Sequence, residues 1–171
     1  MKISINNNIK SIKDLVSDLI GFDLGRSYSI EVDKKIYLEG KVQSGLDKIY
    51  LLKNKEKQLN ILIKEKAIPH KTIYELFIND KLTYELYPKN NLKEYVVFNH
   101  NTKEKIEIRE QKNHNAIVYK NEQEIAKIIS NRSFLLPECS CELHATNDED
   151  KMELCFLMVV WSRFLELNTI N

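Results

Sequence analysis

Leu154-Cys155-Phe156-Leu157-Met158-Val159-Val160-Trp161 is a run of eight consecutive apolar residues. Asn147-Asp148-Glu149-Asp150 precede it, and Arg163, Phe164, Leu165 and Leu167 follow. The acidic turn supplies side chains that cap free N–H groups, and its charge suits the positive end of a helix dipole. With Met152 ahead of the run, length and cap predict a helix over Asp150–Leu167 rather than a strand. At about 100° per residue, eight apolar side chains point in every direction and leave no polar stripe for water.

A membrane span is the first rival. Such a span needs about 20 predominantly apolar residues. Glu153 and Arg163 bracket the run here, so only the middle two turns of the helix are free of charge. The alternative is a helix surrounded by protein. Burying these side chains is worth on the order of 12–24 kcal/mol before entropy is subtracted. One sheet face covers only one side of a helix, so the sheet has to wrap around it. A β-barrel threaded by its own C-terminal helix is therefore expected.

The rest of the chain is consistent with such a wall. Short segments rich in Ile, Val, Tyr and Phe alternate with polar turns. Predicted strands are Tyr28–Val32, Ile36–Val42, Ile49–Leu52, Leu59–Lys64, Ile73–Ile78 and Leu82–Tyr87, then Glu94–Asn99, Glu104–Glu110, Ala116–Tyr119, Glu124–Ile129 and Cys139–Ala145. Turns are expected at Asn79-Asp80, Asn99–Thr102, Asn113–Asn115 and Lys120-Asn121. All four glycines lie at or before Gly45, so Asn and Asp must supply positive φ in the later hairpins.

Ahead of the strands, Ile9, Ile12, Leu15, Val16, Leu19 and Ile20 recur at helical spacing, with Gly21 placed to stop the helix. This amphipathic helix, Ile9–Ile20, would pack on the domain body or serve as a partner-binding or self-association surface. The mixed charge of its polar face, Lys10, Lys13, Asp14 and Asp18, argues against a membrane-surface role.

At 171 residues the chain has the length of one domain, and 43% hydrophobic with 30% charged residues is an ordinary globular composition. A net charge of +1 gives no global field toward nucleic acid. No signal peptide is expected, since charges interrupt the first apolar stretch. The three cysteines are too few for a disulfide framework and point to a reducing, cytoplasmic setting.

Chemistry is sparse. Cys139, Cys141 and His144 do not share a strand face, and no second ligand pair follows at zinc spacing, so no metal is expected. Cys155 falls inside the apolar helix, where burial would keep its thiol protonated. His70, His100, His114 and His144 lie in or beside turns without a nucleophile motif. No cofactor loop is present, because the early glycines match neither phosphate-binding fingerprint. An enzyme is not expected. The one suggestive surface feature is a set of lysines, Lys53, Lys55, Lys57, Lys64, Lys66 and Lys71. If neighbouring hairpin turns met, these would form a basic patch of the kind that attracts phosphate head groups. The rival reading is a solvated hairpin with lysines guarding sheet edges. Nucleic acid is the poorer fit, since the patch lacks arginine and interleaved aromatics.

The order of last hairpin Ala116–Ile129, strand Cys139–Ala145, acidic turn Asn147–Asp150 and helix core Leu154–Trp161 resembles the tubby C-terminal-like superfamily, which includes LURP-one-related proteins and phospholipid scramblases. The resemblance covers Tyr28 to Leu167. It implies a mainly β (α+β) fold, a closed antiparallel barrel of about eleven or twelve strands wrapped around a hydrophobic C-terminal helix. It also implies a non-enzymatic binding domain that recognises an anionic phospholipid surface, peripheral to a membrane and not spanning it. The phosphoinositide-binding residues of tubby proper and the Cys-rich and Ca²⁺-binding features of scramblases have no match here, and neither has the helix Ile9–Ile20. The competing expectation is a protein–protein interaction module.

Overall fold

The computed structural model describes residues 1–7, 26–43, 48–69, 71–89, 93–132, 139–146 and 149–168. The expected helix Ile9–Ile20 and His70 lie outside them. Twelve strands run in chain order: β1 (Lys2–Asn7), β2 (Arg26–Val32), β3 (Lys35–Gln43), β4 (Ile49–Asn54), β5 (Leu59–Ile68) and β6 (Lys71–Ile78), followed by β7 (Lys81–Pro88), β8 (Glu94–Asn99), β9 (Lys105–Glu110), β10 (Ala116–Lys120), β11 (Gln123–Arg132) and β12 (Cys139–Ala145). A single α-helix among these residues, α1 (Lys151–Asn168), closes the described chain. Every strand is antiparallel to its sequence neighbour, and β1 pairs with both β2 and β12 to close the barrel.

Eleven of these strands match the sequence expectation to within a few residues; β1 does not appear in it. Its signal is faint because only Ile3 and Ile5 alternate with Lys2, Ser4 and Asn6. Ile3 is nonetheless fully buried, and β1 removes the free edge that β12 would otherwise present.

Twist and closure come from the hairpins. Asp33-Lys34, Asn79-Asp80 and Asn121-Glu122 each have positive φ at both residues, the geometry of a type I′ turn matched to right-handed strand twist. The last of these tips sits one residue beyond the expected Lys120-Asn121. In each of the three hairpins the register shifts by one residue just after the tip, with Tyr37, Thr83 and Ile125 as the extra residue on the returning strand, and the bulge adds local twist. Asn and Asp do supply positive φ after Gly45, but Gln58, Lys103, His114 and Glu122 do so as well.

The core confirms the central helix. Leu154 through Ser162 are all buried, a continuous stretch of two and a half turns, and their neighbours Ile30, Leu38, Ile63, Leu76, Ile108, Ile128 and Leu143 line the inner wall. The polar atoms carried into this interior are satisfied. Trp161 Nε1 donates to the His114 carbonyl at 3.1 Å, and Ser162 Oγ donates to the Val159 carbonyl at 2.8 Å.

Each end of α1 is fastened to the barrel. At the first end, Lys120 Nζ lies 2.7 Å from the Asp150 carboxylate and 3.3 Å from that of Glu104, while Asn99 Nδ2 donates to Glu153 at 3.2 Å. Asp150 sits at the N-terminus of α1, as expected, and its carboxylate is turned to Lys120. At the other end, Arg163 Nε lies 3.0 Å from Glu65, which is buried. Tyr95 meets the Trp161 and Phe164 rings edge-on, 5.9 Å from each.

Burial also sets a pH limit. It is the main cause that pushes the Tyr37 and Tyr95 phenols up to about 12, and it moves Tyr84 up as well, with Glu153 adding to the rise. A raised folded-state pKa contributes stability that is full below the ordinary value of 10 and disappears as pH climbs toward 12. Absorbance at the phenolate band should therefore show these tyrosines silent through pH 10 and ionising only as the fold melts between pH 10 and 12.

Candidate functional site

The buried side chains of α1 fill the barrel interior. An open cleft of about 510 Å³ runs across β2, β3 and β4. Gly40 lies at its floor. An added Cβ there would lie 1.9 Å from the Leu51 carbonyl oxygen, so β3 and β4 approach more closely than any side chain permits. The sheet creases at that point, and the side chains around it form a small array.

Register defines the array. Ser29, Glu39 and Lys53 are cross-strand neighbours in one row, and Ser27, Lys41 and Leu51 in the next. Tyr28, Gly40 and Leu52 form the row between, with Tyr28 and Leu52 buried. Strand spacing makes the array about 10 Å by 7 Å, the scale of a phosphate ester. Glu39 is engaged by Lys55 on the adjacent hairpin tip. Two hydroxyls and two ammonium groups are left around the hollow, with Leu51, 44% exposed, at one edge. Such a set attracts an oxyanion by charge and hydrogen bonding.

The six lysines singled out in the sequence do not form one patch. Successive turns of an antiparallel meander lie at opposite ends, and β5 is ten residues long. Lys53, Lys55 and Lys57 surround the β4–β5 tip, whereas Lys66 and Lys71 flank the β5–β6 turn about 30 Å away. Lys64 lies between them on the outer face, its ammonium 5.1 Å from the centre of the Phe77 ring. Lys66 faces Glu75 at 3.6 Å. Only Lys53 lines the cleft, joined by Lys41, which sequence reasoning missed. The available signal was Gly40, an isolated glycine within a predicted strand, which marks a bulge or a close backbone approach.

The other chemical candidates stand apart from the cleft. His100, His114 and His144 lie beside Glu85, Glu110 and Glu142 at 3.7, 2.8 and 3.5 Å. Cys155 is fully buried, and burial holds its thiol far above the usual range. The side chains of Cys139 and Cys141 lie outside the described set. Among the described residues no three His, Cys, Asp or Glu side chains gather as a metal site. A second hollow, about 10 Å³, is enclosed by Asn99, Glu104, Lys120, Asp150 and Glu153 and is no larger than one water.

No helix among the described residues is long and apolar enough to cross a membrane. On the outer wall Lys64, Glu75 and Glu85 sit side by side in one outward row. Compared with known protein families, with curated proteins and with solved structures, the chain matches none.

Proposed function

We propose that this chain is a non-enzymatic binding module of the tubby-like type, which seats an anionic lipid head group in the cleft over Gly40 and works peripherally at the cytoplasmic face of a membrane. The observation that carries the reading is the array of Ser27, Ser29, Lys41 and Lys53, with Lys55 neutralising the one carboxylate among them. The barrel-and-helix architecture supports the tubby-like assignment, and the filled interior favours an external ligand.

Sedimentation with phosphatidylserine vesicles at low salt tests it. The protein should pellet with these vesicles, not with phosphatidylcholine alone, and release as salt rises. Replacing Lys41 and Lys53 together by Ala should weaken binding roughly thirty-fold, at about 1 kcal/mol per lysine near an anionic surface. The Lys66→Ala, Lys71→Ala pair, at the opposite end, should change it less than about two-fold. A wild-type protein that stays in the supernatant at low salt would rule the reading out.

A further inference from the structure

Four apolar side chains on the outside of this barrel fall in line across β4 to β7, while Ile36 on β3 and Ile129 on β11 are exposed apart from them. Leu51, Leu62, Phe77 and Leu82 are successive cross-strand neighbours and form an outward stripe across four strands. Leu51 is among the most exposed large hydrophobic residues described, and the other three are half-buried. The next outward row is Ile49, Lys64, Glu75 and Glu85. Among the described residues Lys64 makes no ion pair; its ammonium lies over Phe77.

We propose that this stripe is the contact between two copies of the chain, related by a two-fold axis parallel to the strands between β5 and β6. That operation lays Leu62 on Phe77 of the second copy, while Leu51 and Leu82, on strands turned about 45° away to either side of the axis in a twelve-strand barrel, stay at the rim. It also brings Lys64 against Glu75 of the second copy, and each contact occurs twice, as a two-fold axis requires. An axis laid across the strands along the charged row would instead oppose Lys64 to Lys64 and Glu75 to Glu75. The charges thus select one arrangement of the copies. Glu75 also faces Lys66 of its own chain at 3.6 Å, on the side of the row away from the stripe. Glu85 stays at the rim beside its own His100, 3.7 Å away. Two strands by two rows, with β4 and β7 at the rim, is a small contact, so a weak and reversible dimer is expected.

Sedimentation equilibrium on the whole chain, from about 5 to 500 µM, reads the result directly. The wild type should pass from monomer to dimer across that range. Phe77→Lys should hold it monomeric with an unchanged melting temperature, which separates loss of contact from loss of fold. Lys64→Glu and Glu75→Lys should each weaken association about ten-fold, and the double exchange should restore it. A monomer at the highest concentration, an undiminished dimer in Phe77→Lys, or a double exchange no better than the singles would each overturn the proposal. Vesicle binding keeps the two functions distinct: Phe77→Lys should leave it intact, and the Lys41, Lys53 double replacement should leave dimerisation intact. Loss of vesicle binding in Phe77→Lys from a chain that is monomeric throughout would assign the face to lipid and end the dimer proposal.

Discussion

Val159→Asp should yield no soluble, cooperatively folded protein. Val159 is fully buried near the middle of the run from Leu154 to Ser162, with barrel wall on every side. A carboxylate there has no cation to pair with and no route to water. Its desolvation costs several kcal/mol even after relaxation, and the buried valine contact is lost as well. Domains of this size are stable by only about 5–15 kcal/mol, so this one change consumes most or all of the margin. Val159→Ala is the control. It leaves a small apolar cavity, costs about 1–3 kcal/mol and should lower the melting temperature without abolishing the transition. The near-ultraviolet signal of Trp161, held between Tyr95 and Phe164, reports native packing in both variants. A soluble Val159→Asp protein with a cooperative melt would mean that one side of α1 is wet.

The helix was the most readable element because its pattern leaves no choice. A run of apolar residues without a polar stripe needs cover all around, and the wall follows from that need. The strands were readable for a similar reason, since Tyr84, Leu86, Ile106 and Ile108 alternate with outward polar or half-exposed residues. β1 was not read, because six residues with two isoleucines carry too little periodicity, and what fixes them is closure between β2 and β12. Closure is a property of the whole sheet and is written in no single strand.

The candidate site was less accessible for a physical reason. Lysines close in sequence look clustered, but an antiparallel meander sends successive turns to opposite ends and scatters them. Lys41, Lys53, Ser27 and Ser29 are brought together by register across three strands, and register depends on the bulge at Tyr37 and on the crease at Gly40. Both fastenings of α1, Lys120 with Asp150 and Glu65 with Arg163, are similarly long-range. Sequence spacing hides such pairs.

Gly40→Ala should damage both stability and binding. The new Cβ would sit 1.9 Å from the Leu51 carbonyl oxygen and 2.9 Å from the Leu52 Cα. These are backbone atoms of a paired strand, so no rotamer change can relieve the overlap. β3 and β4 must separate by more than 1 Å, straining the ladder that pairs Gly40 with Leu52 and Lys41 with Leu51. The expected cost is about 3 kcal/mol or more, at the upper end for overpacking. Val42→Ala offers a matched comparison in the same strand. Val42 is buried in the core, and truncating it costs about 2 kcal/mol by leaving a cavity without moving β3 from β4. Urea melts with vesicle sedimentation then separate two effects. Val42→Ala should be destabilised yet still bind phosphatidylserine vesicles. Gly40→Ala, held folded at low temperature, should bind no better than the Lys41, Lys53 double replacement, because the crease that sets those lysines around one hollow is gone. Wild-type binding by Gly40→Ala would detach head-group recognition from the crease and leave the lysines acting as unconnected surface charges.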